Sequence, residues 1–214
     1  MFTNDKAILL NIGGYKKEPG WINVNIKAQS FGQAIGEVEV IRPMHDLQGF
    51  PNESVSAIYS SHSLEHTSLV FGDDSLPATL QEWRRVLMMG GLLMISVPDL
   101  MKLAKLFIDP QISNSGRHIL HRMIYGAQSD EYDFHKSGLY EELLIAYLKH
   151  ANFCNIERVG DFNIMKDTST LRFEGHFISL NMLARPCNAH GTATEGEDGH
   201  WVDHDASPYD PSIY

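Results

Sequence analysis

The side chains best able to do chemistry in this sequence cluster directly after apolar runs. The densest cluster is VSAIYSSHSLEH, Val55 to His66. Val55, Ala57, Ile58 and Tyr59 have the character of a central strand, and Ser60, Ser61, His62, Glu65 and His66 follow it at once. In open α/β sheets ligands bind just beyond the carboxyl ends of the strands, so these groups stand where a substrate or cofactor is met. Imidazole is the side chain best suited to take a proton near neutral pH, which makes His62 and His66 candidate bases. The alternative is plainer: Ser60 or Ser61 caps a following helix and the histidines are solvated. A further imidazole, His135 in YDFHKSG, sits in an aromatic setting and is a candidate on the same chemical ground, beside a purely structural role.

Smaller clusters repeat the pattern. Gly13 and Gly14 follow AILLNI, where the absence of a Cβ lets the backbone turn and lets a ligand approach the main chain. They do not extend into the dinucleotide fingerprint G-x-G-x-x-G, because the next glycine is Gly20. Asn25 closes WINVN at the position where a nucleotide ribose is met, and His45, Asp46 and Leu47 follow the next apolar run. An acid beside an apolar residue suits an adenine amino group and ring, although Asp46 is equally suited to an ordinary turn.

The elements that position these groups read as strands over 7–12, 21–25, 38–44, 55–59 and 92–98, with closing strands over 155–159 and 177–184. Only Gly13 to Gly20 separate the first two, fewer residues than a parallel crossover with a helix needs. Leu76, Leu80, Trp83 and Leu87 recur at helical spacing, with Asp74 or Ser75 as cap and Gly90 and Gly91 as the stop. Asp99 opens a second helix over 100–107, and Ser137 caps a third that Asn152 ends. Residues 108–137 lose the periodicity apart from a helical hint over 118–124, and a long irregular stretch inside a domain suits a lid or substrate-binding insertion.

The chain has 214 residues, 43% of them hydrophobic, enough for one domain with a substantial core. The expected domain spans 1–186. The net charge of -10 argues against nucleic acid as a partner, and six acids with no Lys or Arg make 187–214 an acidic, flexible tail. His200, Asp203 and His204 lack a helix to fix their spacing, so no metal is expected there. No apolar run approaches the roughly 20 residues that span a bilayer, and the N-terminus has no signal-peptide pattern. A cytoplasmic protein with no membrane partner is therefore expected. Cys154 and Cys187 allow one disulfide at most and have no metal-knuckle spacing, so idle thiols are the default.

Four blocks in unbroken order, over roughly 7–185, resemble a known group: LLNIGG with PGWINVN; HDL with GFPNESVSAIYSSHSLEH; LQEWRRVLMMGGLLMISVPDL; and FHKSGLYEELLIAYLKHANF. They look like the class I S-adenosylmethionine-dependent methyltransferases, specifically a predicted bacterial-type group within the methyltransferase-11-like set. The resemblance implies an α/β, Rossmann-like sheet, mostly parallel with a closing antiparallel hairpin and helices on both faces. It implies S-adenosylmethionine as cofactor, with Gly13 and Gly14 at its amino acid part, Asn25 at the ribose in place of the usual acid, and Asp46 and Leu47 around adenine. Ser61, His62 and His66 then line the junction with a small-molecule or glycan acceptor, methylated at oxygen or nitrogen, and His135, His62 and His66 are the candidate bases. Two other readings stay open. One is a noncatalytic protein that keeps the fold, suggested by Asn25 and the short glycine turn; the other is a nicotinamide-dependent oxidoreductase, which the missing fingerprint disfavours.

Overall fold

The computed structural model describes residues 7–14, 18–27, 38–70 and 72–188, and its apolar runs assemble into one seven-stranded sheet. The first five strands are β1 (Ile8–Ile12), β2 (Trp21–Asn25), β3 (Val38–Ile41), β4 (Val55–Ser61) and β5 (Leu87–Pro98). After them come β6 (Phe153–Val159), a two-stranded ladder of β7 (Arg172–Phe173) and β8 (His176–Phe177), and β9 (Ser179–Pro186). The large sheet runs β3-β2-β1-β4-β5-β9-β6. Every pairing among β1 to β5 is parallel, whereas β9 is antiparallel to both β5 and β6. Order reverses between β1 and β4, the switch point at which such sheets open a crevice.

Among the described residues four α-helices join the strands: α1 (Leu76–Val86), α2 (Leu100–Ile108), α3 (Asn114–Tyr125) and α4 (Glu141–His150). On α1 the Ser75 hydroxyl accepts from the Ala78 amide at 3.4 Å, Pro77 sits in the first turn, and Leu76, Leu80 and Trp83 turn one face into the core. Leu144, Tyr147 and Leu148 of α4 join the same cluster against Leu10, Ile12, Ile58, Leu93 and Ile95 of the sheet. The opposite face, at Tyr59 and Met94, is packed by Trp21, Phe162, Ile164 and Met165.

Several boundaries differ from the sequence reading. Gly90 and Gly91 do not stop α1, which ends at Val86; β5 begins at Leu87, a fully buried residue paired with Val55. Burying Leu87 in strand register outweighs another half-turn of helix, and Met88 and Met89 lie on an exposed bulge where Gly90 takes a φ of 78°. β3 stops at Ile41, because Pro43 has no amide proton for the ladder. Ser137 does not cap α4; its hydroxyl donates to the Glu65 carbonyl at 3.3 Å, and Tyr140 takes the cap position. Asn152 follows α4 in the left-handed region at φ 64°, as its type favours.

Twelve residues of 108–137 form α3, where the Ser113 hydroxyl accepts from Gly116 at 3.1 Å and Leu120, Met123 and Ile124 pack against Leu103 and Leu106 of α2. Its apolar positions are few and interleaved with histidine and arginine, which hides the helix in a periodicity search. Cys154 and Cys187 are not idle thiols but a disulfide between β6 and the residue after β9. Antiparallel pairing of these strands brings together two cysteines 33 positions apart. An oxidising compartment preserves such a bond and a reducing cytosol opens it. The acidic segment beyond Asn188, with His200, Asp203 and His204, lies outside the described residues.

Candidate active site

At the carboxyl ends of β1, β2 and β4 lies a cleft of about 730 Å³, within the size range of small-molecule sites. One wall is the backbone turn at Gly13. Its φ of 73° is left-handed, its amide donates to the Val24 carbonyl at 2.8 Å, and a Cβ there would collide with the Ser63 side chain. At Gly14 the place of a Cβ is taken by the Asn11 carboxamide. Glycine is therefore required at both positions by neighbours, and at Gly13 by backbone shape as well.

The residues after β2 and β3 form the next wall: Asn25, Ile26, Lys27, Arg42, Pro43, Met44 and His45. Asn25 is 4% exposed, and its amide nitrogen donates to the Gly14 carbonyl at 3.2 Å and to a Glu39 carboxylate oxygen at 3.5 Å. Asp46 is turned away to Arg42 at 3.0 Å and to the Gln48 amide at 3.0 Å. Leu47 is fully buried in the core. Neither is on the cleft wall. The segment is held from behind by α1: Trp83 Nε1 donates to the Met44 carbonyl at 2.8 Å, the Leu47 amide donates to Glu82 at 2.9 Å, and Arg85 donates to the Phe50 carbonyl at 3.0 Å. The apolar spacing of α1 marks its core face, and nothing in that periodicity marks Glu82 or Arg85 as loop anchors.

Beyond β4 the chain enters a short 3₁₀ turn, Leu64–His66. His62 has a φ of 52°, a costly conformation for a non-glycine residue and one that clusters at functional sites. Its amide donates to the Ser96 carbonyl at 2.8 Å, tying the turn to β5. His62, Ser63 and His66 line the cleft. Ser61 lies behind them, 8% exposed, its carbonyl accepting from Ser63 at 3.3 Å. The far side is residues 129–134 with Lys136, from the expected insertion, joined across the mouth by Lys27 pairing with Asp130 and Lys136 with Asp74. His135 is not on the wall; its ring meets that of His66 edge to face at 4.9 Å between centroids.

All three imidazoles surround Glu65. The carboxylate is 1% exposed, with His62 Nδ1 at 3.6 Å and His135 Nε2 at 3.8 Å, and neither oxygen has a hydrogen-bond partner among the described residues. Burial pushes Glu65 up to about 8. Burial first, then the charges of His135 and His66, pull His62 down to about 3, and burial with His66 pulls His135 down to about 4. Burial also lowers His66. The cluster is thus a neutral, proton-holding acid among unprotonated imidazoles. In the sequence Glu65 is one polar residue among five after a strand; its burial in the fold is what shields it from solvent.

This arrangement has a pH signature. Unfolded, Glu65 releases its proton near 4.5, but folded it keeps it to about 8, so this group's contribution to stability falls between those values by about 1.4 kcal/mol per pH unit. His62 and His135 act oppositely: from 6.5 downward the unfolded chain binds protons that the fold excludes. With chelator present, stability is expected to climb to a maximum near pH 6.5 and decline toward 8, as read from urea midpoints across that range. Glu65→Gln should remove the decline and keep the acid limb; a wild type with no decline above 6.5 would refute the shift.

Residues 23–95 match the family model described as a methyltransferase domain. No curated protein matches the chain. Among solved structures, an S-adenosylmethionine-dependent methyltransferase from Archaeoglobus fulgidus has a TM-score of 0.53 at 16% identity, covering 85% of this chain and 86% of that one. The 1,6-didemethyltoxoflavin-N1-methyltransferase of Burkholderia thailandensis, solved with S-adenosylhomocysteine, has a TM-score of 0.51 at 18% identity, covering 86% and 72%. The CurJ carbon methyltransferase has a TM-score of 0.52 at 16% identity over 87% of this chain, which spans 50% of its length. Among the described residues no helix is long and apolar enough to cross a membrane. The strand order, the methyltransferase-domain match across β2 to β5 and the shared architecture give this chain the class I methyltransferase fold.

Proposed function

We propose that the protein transfers the methyl group of S-adenosylmethionine to an oxygen or nitrogen of a small molecule or glycan. The observation that carries this reading is the cleft itself, open at the β1–β4 switch point, with the Gly13 turn on one side and an imidazole cluster on the other. S-adenosylmethionine, when bound, supplies an electrophilic methyl on a sulfonium. Gly13 leaves its main chain open to the ligand's amino acid part, and Gly14 and Ser61 support that turn from behind. Asn25 spends its amide nitrogen on Gly14 and Glu39, so its carboxamide oxygen is the atom that accepts from a ribose hydroxyl. Pro43 and Met44 offer apolar surface to an adenine ring, with Asp46 and Leu47 shaping the loop that holds them.

For a hydroxyl acceptor, His66 is the base within reach. Its Nδ1 donates to the Phe134 carbonyl at 3.0 Å, which leaves the Nε2 lone pair free. His62 is otherwise engaged, its Nε2 donating to the Ser179 hydroxyl at 2.8 Å while that hydroxyl donates to the Thr168 carbonyl at 2.9 Å. His135 positions the ring of His66. Alignment of nucleophile and methyl within the closed cleft then supplies much of the rate. Lys27, Arg42 and Lys136, the basic side chains of the wall, are each paired with an acid. Among the described residues no unpaired Lys or Arg is left on this wall to track a phosphate backbone, which favours a small polar acceptor over nucleic acid. Isothermal calorimetry tests the reading: micromolar binding of S-adenosylmethionine or S-adenosylhomocysteine is expected, and no heat at millimolar cofactor would overturn it.

A further inference from the structure

Glu65 and His66 are consecutive and His135 comes from a segment about 70 positions away, yet each offers one donor atom and the three atoms lie within 4.8 Å of one another. Glu65 Oε1 and His135 Nε2 are 3.8 Å apart. Two ligands of one tetrahedral ion, with bonds of about 2.1 Å, are separated by roughly 3.4 Å. Small side-chain rotations therefore bring all three donors onto one centre.

The hydrogen bonds prepare the donors. A backbone carbonyl only accepts, so the contact of His66 Nδ1 to the Phe134 carbonyl at 3.0 Å and that of His135 Nδ1 to the Ile124 carbonyl at 3.2 Å both put the ring proton on Nδ1. On each ring the lone pair is then at Nε2, which on His135 stands 3.8 Å from Glu65 Oε1. A carbonyl that holds the far N–H and fixes the tautomer is the usual support of a metal-binding histidine. Glu65 supplies an independent observation. Both of its oxygens are buried without a hydrogen-bond partner among the described residues, a state that in native proteins calls for an ion or a water.

We propose that Glu65, His66 and His135 bind one divalent transition-metal cation, zinc being the best match to the ligand set. Two neutral imidazoles and one carboxylate leave a fourth position open, the pattern of a reactive rather than a purely structural zinc site. Because His66 lines the cleft, the site adjoins the space an acceptor would occupy. Cation binding does not depend on the methyl-transfer reading; only its role toward an acceptor does. There the cation holds the acceptor oxygen and its hydroxyl proton passes to solvent, so the ion takes over the task of the free His66 nitrogen.

The test uses the full chain, stripped with chelator and titrated with Zn²⁺ by calorimetry, with bound metal counted by elemental analysis. One tight equivalent is expected. His66→Ala/His135→Ala should weaken it by about a hundredfold or more, while His200→Ala/His204→Ala, in the C-terminal segment, should leave it in place. Should the double variant fail to fold, Glu65→Gln, which keeps the side chain's shape, is expected to produce the same loss. A tight equivalent that survives both ligand variants, or a folded wild type that takes up no zinc, overturns the proposal. S-adenosylmethionine titrated into the same preparation reports separately on the methyl donor, so the two readings fail independently.

Discussion

Gly13→Val is expected to abolish detectable binding of S-adenosylmethionine, a loss of at least about a hundredfold, or roughly 2.8 kcal/mol. Two effects combine. At φ 73° a β-branched residue pays about 1–2 kcal/mol for the left-handed backbone alone, and its Cβ occupies the space of the Ser63 Oγ and Cβ. Relief requires the turn to move out of the cleft or the Ser63 loop to move away, and both displace the wall that meets the ligand. Gly20→Ala is the control. Gly20 has a φ of 87°, but nothing lies within 4 Å of the added carbon, so this variant carries strain without collision and should bind near the wild-type level. A second variant checks the mechanism: Gly13→Ala combined with Ser63→Gly removes the colliding atoms and should recover part of the binding lost by Gly13→Ala. Calorimetry on these proteins is the measurement, and wild-type affinity in Gly13→Val would sink the placement of the cofactor against this turn.

Trp83→Ala should produce the largest loss of stability, about 3–5 kcal/mol, with a melting temperature lower by roughly 6–20 °C. The indole is fully buried between α1 and the sheet, so truncation leaves a cavity that Leu80, Val86 and Leu87, held by their own helix and strand, cannot fill. The same side chain holds the Met44 carbonyl, and its removal frees one side of the cleft wall. Trp83→Phe separates the two roles. It keeps most of the apolar volume but leaves the Met44 carbonyl unpaired, at a cost of about 1–3 kcal/mol. Urea unfolding and cofactor titration of both variants should show the alanine form losing more stability and at least as much affinity. A Trp83→Ala cost below about 1.5 kcal/mol would mean that the core collapses around the site or that the indole is not an anchor.

Much of the sheet was legible because its strands are buried on both faces and their composition says so without a partner: AILLNI, WINVN, VSAIY and LLMISVP each became a strand of the main sheet. The glycines at 13 and 14 were legible for a related reason, since a pair after a buried strand announces a turn where a Cβ is not tolerated. Boundaries failed where burial competes with local propensity. Gly90 reads as a helix stop, but Leu87 is worth more in the sheet; Ser137 reads as a cap, but its hydroxyl finds the Glu65 carbonyl from another segment.

The candidate site divides along the same line. By itself the sequence determined which groups follow strand ends, because strand direction and side-chain type are local properties: Asn25, His62 and His66 all reach the cleft. Which of their neighbours share that wall was decided only by tertiary structure. Asp46 and Leu47 follow His45 in the chain, yet with Trp83 holding the Met44 carbonyl and Glu82 the Leu47 amide, one turns toward Arg42 and the other into the core. Likewise, Glu65 and His66 are neighbours in sequence, but one buries a carboxylate with no hydrogen-bond partner among the described residues and the other opens to the cleft, and His135 joins them from a segment 70 positions away. Proton affinities and metal-ligand geometry depend on burial and on distances across segments, and neither quantity exists until the chain has packed.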